Sequence, residues 1–205
     1  MTYKLLLATS NLHKVAELKA LFKDQGLKVD LYSFHQFPGY KAPPEDGATF
    51  QENAQLKALH AAKELGILAV ADDSGLVVPA LNNEPGVISA RYAGANATDK
   101  ENRIKLINEM GDLKGLERSA YFECCLAVAS PQEVIFTTSG RCEGMVVEKE
   151  RGSQGFGYDS LFIKHEFSKT FAEITSSTKN RVSHRRKAFE KLVMYLENES
   201  RTLSN

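Results

Sequence analysis

The sequence has little cysteine, no long apolar run and no net charge, and each shortage narrows the field. Three cysteines, two of them adjacent at Cys124 and Cys125, form neither a CxxC pair nor a disulfide framework. On a strand, adjacent side chains point to opposite faces, where a cysteine serves as a small core filler. The chain is therefore expected to be cytoplasmic and reduced. Its apolar runs fall far short of the roughly 20 residues that a membrane-spanning helix needs. Met1-Thr2-Tyr3-Lys4 leads straight into a strand-like run, so no secretory leader is expected. With 26 basic residues against 26 acidic ones, general binding to nucleic acid or to a membrane surface is disfavoured. The five histidines are scattered, and none forms HExxH or a Cys/His pair, so a conventional metal cage is not expected. There is no internal repeat, low-complexity tract or flexible linker.

What is present is apolar content, 42% of 205 residues, enough for one full core. Residues 4–8 read as a short buried strand. Asn11 then opens an amphipathic helix with Val15, Leu18, Leu21 and Phe22 on one face, closed by Gly26. A second strand over about residues 28–34 leads into a loop with Pro38, Gly39, Pro43 and Pro44. Thr49-Phe50-Gln51-Glu52 is a capping box that starts an Ala-rich helix ending near Gly66. The apolar run Ile67-Leu68-Ala69-Val70 reads as a buried strand, followed by Leu76-Val77-Val78 and a Pro85-Gly86 turn. A second capping box, Thr98-Asp99-Lys100-Glu101, opens a helix to about Met110. Residues 119–129 and 134–147 read as two long antiparallel strands about the turn Ser130-Pro131-Gln132-Glu133. One last helix runs over about residues 179–199. The class is mixed α/β.

Four places carry chemistry. Ala71-Asp72-Asp73-Ser74-Gly75 sets two carboxylates and a hydroxyl in what reads as a Gly-terminated turn at the end of a buried strand. Ligands of open α/β sheets bind at such edges, and carboxylates there can hold Mg²⁺ and accept a proton from water. The plain alternative is an Asp-rich turn. Thr9-Ser10-Asn11-Leu12-His13-Lys14 follows the first strand and opens the first helix, whose N-terminal amides attract phosphate. It lacks the glycines of a Walker A loop, and an ordinary Ser/Asn cap explains it as well. Gly152, Gly155 and Gly157 run as GxxGxG, the reverse of a dinucleotide fingerprint; their loop displays Phe156, Tyr158 and Asp159. Those rings either stack on a nucleobase or pin the loop to the core. Lys179, Arg181, Arg185, Arg186 and Lys187 cluster around His184 near the start of the last helix, where the dipole disfavours cations. A ligand rich in acceptor oxygens would account for them. Together the four places describe a nucleotide site.

With these residues assembled, the chain resembles the inosine triphosphate pyrophosphatase family. The blocks are Ala8-Thr9-Ser10-Asn11 with Lys14 and Glu17, Thr49-Phe50 with Glu52-Asn53-Ala54 and Lys57-Ala58, and Ala71-Asp72-Asp73-Ser74-Gly75-Leu76. They continue through Pro85-Gly86, Ser89-Ala90-Arg91-Tyr92, Gly155-Phe156-Gly157-Tyr158-Asp159, Lys179 and Ser183-His184-Arg185, over nearly the whole chain.

The resemblance implies a single domain over residues 1–205, an elongated mixed β-sheet with flanking helices, and two lobes around a central nucleotide cleft. It implies a homodimer that cleaves the α–β phosphoanhydride of ITP, dITP and XTP, releasing the nucleoside monophosphate and pyrophosphate. Carried over by residue, Asp73 is the proton acceptor, and Asp73 with Glu45 holds Mg²⁺. Thr9, Ser10, Asn11, Leu12, His13 and Lys14 hold the triphosphate, with Ser74 a further contact. Phe156, Gly157, Tyr158 and Asp159 form the base pocket, which Lys179, His184 and Arg185 complete. Ser10 stands where glycine is frequent and Ser160 where proline is frequent. Glu52 is the other choice for second metal ligand, though its capping box already explains it. The role of Asp72 is open between catalysis and support of the turn. A Maf-type pyrophosphatase is the nearest rival, but its Ser-Pro-Arg-Arg pattern is missing. A non-catalytic nucleotide- or RNA-binding module is the rival from another class, and the Asp72-Asp73 pair speaks against it.

Overall fold

The computed structural model describes residues 3–27 and 29–202. Its elements are β1 (Tyr3–Leu7), α1 (Leu12–Asp24), β2 (Val29–Ser33), α2 (Phe50–Leu65), β3 (Leu68–Val77) and α3 (Asp99–Glu109). They continue with β4 (Ser119–Ala129), β5 (Val134–Val146), β6 (Phe162–Lys164), α4 (Ser176–Val182) and α5 (His184–Thr202). The strand order is β2-β1-β3-β4-β5-β6. β1 pairs in parallel with both β2 and β3, and β5 pairs antiparallel with β6, so the sheet is mixed. β4 and β5 are neighbours joined by residues 130–133, a link short enough only for antiparallel strands. The start of the second strand expected at Lys28 lies outside the described residues. No described helix is long and apolar enough to cross a membrane.

The helix boundaries follow their caps. Asn11 accepts from the amides of His13 and Lys14 and so starts α1. Thr49 accepts from the Glu52 amide, while the Glu52 carboxylate reaches back to the Ala48 amide at 2.7 Å, one residue earlier than a standard capping box. Gly66 ends α2 in the left-handed region at φ +66°. Thr98 and Glu101 complete the second box at the start of α3.

The chain folds as two compact units. The first comprises Met1–Asp73, Cys124–Gly140 and Arg185–Asn205, the second Ser74–Glu123 and Arg141–His184. In the first, strand alternation sends Val70 and Asp72 to one face and Ala69, Ala71 and Asp73 to the other. Val70 joins Leu5, Leu7, Cys124 and Leu126 in a core capped by Leu18, Leu21 and Phe22 of α1 and Phe189 and Leu192 of α5. Each of these large apolar side chains contributes about 1.5–3 kcal/mol by leaving water. The Asp73 side meets α2, whose buried stripe is Asn53, Ala54, Lys57, Ala58, Ala61 and Ala62.

In the second unit Phe122 packs edge-on to Phe162 at 4.8 Å and stacks with Phe171. Leu76, Leu106, Met110 and Tyr158 fill the same core. Arg118 is buried there and donates to the carbonyls of Met110, Leu113, Val146 and Val147, which leaves its charge well solvated by protein dipoles.

Candidate active site

Two expectations need correction. The acidic pair does not sit in a turn at a strand end: β3 runs unbroken through Asp72, Asp73, Ser74 and Gly75 to Val77. Gly75 is required by close approach rather than by turning. A Cβ there would lie 2.3 Å from Ser89 Oγ and 2.6 Å from the Gly86 carbonyl. Ser89 Oγ accepts from the Leu76 amide at 3.0 Å, so its hydroxyl occupies the space a side chain would take. The basic cluster does not open one long helix either. Ser183, in extended conformation, separates α4 from α5 and leaves Lys179 in the second unit and Arg185 in the first.

Protein carboxylates account for the arginines that begin α5. Arg185 is 1% exposed; its Nε donates to Asp72 Oδ2 at 2.7 Å and its Nη1 pairs with Glu17. Lys14 Nζ lies 2.6 Å from Asp72 Oδ1, and Cys124 Sγ donates to Asp72 Oδ2 at 3.1 Å. Arg186 pairs with Asp24 and with Glu190 one turn on. Burial alone would raise the Asp72 carboxyl; the Arg185 and Lys14 charges outweigh it and hold the group well below the usual carboxylate range. Burial, then the adjacent Asp72 charge, pushes the Cys124 thiol well up. Lys14 and Glu17 share the α1 stripe that carries Leu18 and Leu21, and charges on an apolar stripe are the sequence signal for such a network.

On the opposite side of β3, Asp73 Oδ1 accepts from Lys57 Nζ at 2.7 Å, and Glu45 Oε1 accepts from the same ammonium at 3.1 Å. Lys57 also donates to the Asp72 carbonyl at 2.8 Å. Asn53 Nδ2 donates to Asp73 Oδ2 at 3.3 Å, while Asn53 Oδ1 accepts from the Gly47 amide at 2.8 Å. That pair of bonds ties the loop carrying Glu45 to the strand. Burial lifts Asp73 above the ordinary carboxylate range, offset only in part by the Lys57 and Lys14 charges. Burial would lower Lys57, but Asp73 and Glu45 raise it on balance. A small cavity of about 40 Å³ opens here, lined by Thr9, Ser10, Phe34, Tyr40, Glu45 and Lys57 among others. Lys57 was not singled out for a role from the sequence, although a lysine in the middle of an alanine stripe was the available clue.

The N-terminal turn is partly satisfied by itself. Asn11 spends its side chain on the His13 and Lys14 amides, and the Asn11 amide donates to Thr9 Oγ1. Ser10, Leu12 and His13 are exposed, and Thr9 is half-buried. Glu52 is committed to its cap through Ala48.

In the second unit the glycine loop and α4 meet. Lys179 Nζ donates to Asp159 Oδ2 at 2.5 Å and lies 4.7 Å from the Phe156 ring centroid. Asp159 Oδ2 also accepts from the Phe156 amide at 3.0 Å. Gly155 has φ +77°, and a Cβ on it would fall 2.0 Å from that same oxygen. Tyr158 is buried and its hydroxyl donates to the Ser89 carbonyl at 2.9 Å, so this ring pins the loop. Phe156 is half-buried. His184 stacks on Phe122 at 4.9 Å, and Ser74 is half-buried on β3.

A family model described as the Ham1 family matches residues 5–195. The chain is 53% identical over 196 residues to a dITP/XTP pyrophosphatase of Protochlamydia amoebophila, covering 95% of this chain and 98% of the relative. It is 49% identical over 195 residues to a dITP/XTP pyrophosphatase of Chlamydia abortus, covering 95% and 94%. The solved structure of a HAM1 protein from Coxiella burnetii superposes with a TM-score of 0.86 at 39% identity, covering 96% of this chain and 99% of that one. The Ham1 protein of Staphylococcus aureus gives 0.83 at 37% identity, with the same coverage. Sequence likeness over nearly the full length and a matching backbone agree, and this chain belongs to the Ham1 family.

Proposed function

We propose that this protein is a nucleoside triphosphate pyrophosphatase. It hydrolyses dITP, XTP and ITP to the monophosphate and pyrophosphate, and so keeps non-standard purines out of DNA and RNA. The observation that carries the reading is the meeting of Asp73 and Glu45 on one ammonium beside Thr9 and Ser10, in a chain 53% identical to a dITP/XTP pyrophosphatase.

Asp73 is the general base. Burial raises its basicity toward neutral pH, where a carboxylate is otherwise a weak proton acceptor. Lys57 and Asn53 fix the two oxygens of that carboxylate, so its orientation is set before water arrives. Thr9, Ser10, Asn11, Leu12, His13 and Lys14 take the phosphate chain, with Ser74 contributing beside the base. Asp73 and Glu45 would hold Mg²⁺. They are hard oxygen donors already gathered around one cation, and Mg²⁺ ordinarily takes one or two carboxylates plus substrate phosphates. Bound there, Mg²⁺ would neutralise charge on the phosphate oxygens.

Phe156, Gly157 and Asp159 with Lys179 and His184 take the base, and Tyr158 holds their loop. Arg185 stays in this set as a donor to the C6 oxygen. Because its guanidinium pairs with Glu17 and Asp72, binding would trade a carboxylate bond for a purine oxygen. Hypoxanthine and xanthine offer that acceptor where adenine offers an amino donor, and an unmet buried donor is costly. The active form is a cytoplasmic homodimer working on free nucleotides, not on nucleic acid or membrane; zero net charge and the resemblance support this.

Purified protein with Mg²⁺ and dITP, XTP, ITP, ATP or GTP, followed by product identification, tests the reading. Monophosphate with pyrophosphate from the first three, and little from ATP or GTP, is the expected result. Diphosphate with orthophosphate would overturn the site of cleavage, and no product from any of the five would overturn the activity.

A further inference from the structure

The glycine loop of the second unit is held from outside by α3. Asp99 and Arg103 stand one turn apart, the spacing that aims two side chains at one place. Gly157 donates its N–H to Asp99 Oδ2 at 2.7 Å, and its carbonyl accepts from Arg103 Nη1 at 2.9 Å. Both polar groups of one backbone residue are thus taken by opposite charges on one helix. Arg103 Nε also donates to Glu150 Oε2 at 2.8 Å, and that oxygen accepts from Ser160 Oγ at 2.9 Å. One guanidinium therefore connects the middle of the loop with both its ends. Charge-assisted bonds of this kind are about twice as strong as neutral ones.

The loop has reason to need such a clamp. Gly155 and Gly157 both adopt positive φ, at +77° and +57°, and glycine gives up more conformational freedom on ordering than any other residue. Phe156 lies between them, and its amide is bonded to Asp159, which in turn holds Lys179 over the Phe156 ring. Displacement of the Gly157 backbone would move the ring and the carboxylate together.

We propose that Asp99 and Arg103 are positioning residues for base recognition. By fixing both backbone groups of Gly157 they set where Phe156 and Asp159 stand, and so set the discrimination of hypoxanthine from guanine. Neither touches the substrate. The assignment rests on the reading of this loop as the base site.

The test compares Arg103→Met and Asp99→Asn with the parent enzyme, using dITP and dGTP as substrates and hydrogen exchange across residues 150–160 as an activity-independent readout. Expected is a rise of about tenfold in KM for dITP with kcat within about twofold, since misplaced contacts weaken binding while Asp73 is untouched. The preference for dITP over dGTP should fall, and the loop amides should exchange faster. Arg103→Lys, which keeps a donor for the Gly157 carbonyl, should recover part of the loss. Unchanged exchange, or faster exchange with parental KM and preference, overturns the proposal. A fall in kcat at constant KM overturns it as well. Should Arg103→Met not fold, Asp99→Asn at an exposed residue carries the same comparison. A parent that makes no pyrophosphate from dITP removes the underlying activity and this inference with it; an active parent with parent-like variants confines the failure to the clamp.

Discussion

Asp72 and Asp73 are neighbours in sequence but face opposite sides of β3 and meet different cations. Asp72 is fully buried against Arg185 and Lys14, while Asp73 meets Lys57 and Asn53 beside the cavity lined by Glu45. The one-residue alternation of a strand gives the two carboxylates separate surroundings.

Substituting each by asparagine should separate their roles. Asp73→Asn removes the proposed proton acceptor at a 5% exposed site that still offers hydrogen bonds. Turnover of dITP should vanish while the thermal midpoint stays near the parental value. Asp72→Asn leaves the Arg185 charge buried with less compensation, a type of change that costs about 3–5 kcal/mol. Chemical denaturation should show that loss. A stable Asp72→Asn protein would mean that Glu17 alone satisfies Arg185.

The same contrast has a pH signature. The Asp72 carboxyl is depressed in the folded chain, so folding is favoured above the unfolded-state value of about 3.9 and the benefit drains away as pH falls below it. Denaturation midpoints from pH 6 downward should drop steeply below about pH 4. In Asp72→Asn that acid limb should be shallower, starting from a lower plateau. Parallel limbs in the two proteins would assign the acid sensitivity to other carboxylates.

The helices were the most legible part of the fold, because Asn11, Thr49, Gly66 and Thr98 are local signals acting within a few residues. The acidic pair misled for an equally local reason: Asp-Asp-Ser-Gly has turn composition, yet Gly75 is dictated by Ser89, distant in sequence. The two arginines that begin α5 are likewise compensated from distant parts of the chain, Arg185 by Glu17 and Asp72 and Arg186 by Asp24. Resemblance supplied the site residues that spacing alone left open. The role of Lys57 and the α3 clamp on Gly157 depend on long-range partners and became visible only in the fold.

Lys57, which lines the cavity with Glu45, holds both Glu45 and Asp73. Lys57→Met keeps most of the stem but removes the shared ammonium from Asp73 and Glu45, leaving two carboxylates close together. Their mutual repulsion and the loss of orientation should lower kcat by about a hundredfold, the scale seen when a preorganised charged contact is removed. The concentration of Mg²⁺ giving half-maximal activity should fall, because a divalent cation then neutralises the pair unopposed. A kcat close to the parental value would reduce Lys57 to a structural counterion.

Gly75 tests whether the strand passing through the acids depends on its closest contact. An alanine Cβ would overlap Ser89 Oγ at 2.3 Å and the Gly86 carbonyl at 2.6 Å, and the latter is backbone with little room to yield. Overpacking of this kind costs about 1–3 kcal/mol. Since Asp73 lies two residues away on the same strand, Gly75→Ala should lose activity beyond what its unfolded fraction explains. Activity per folded molecule, measured well below the melting transition, makes the distinction. Parental specific activity in the folded fraction would show that β3 absorbs the strain without moving the Asp73 carboxylate.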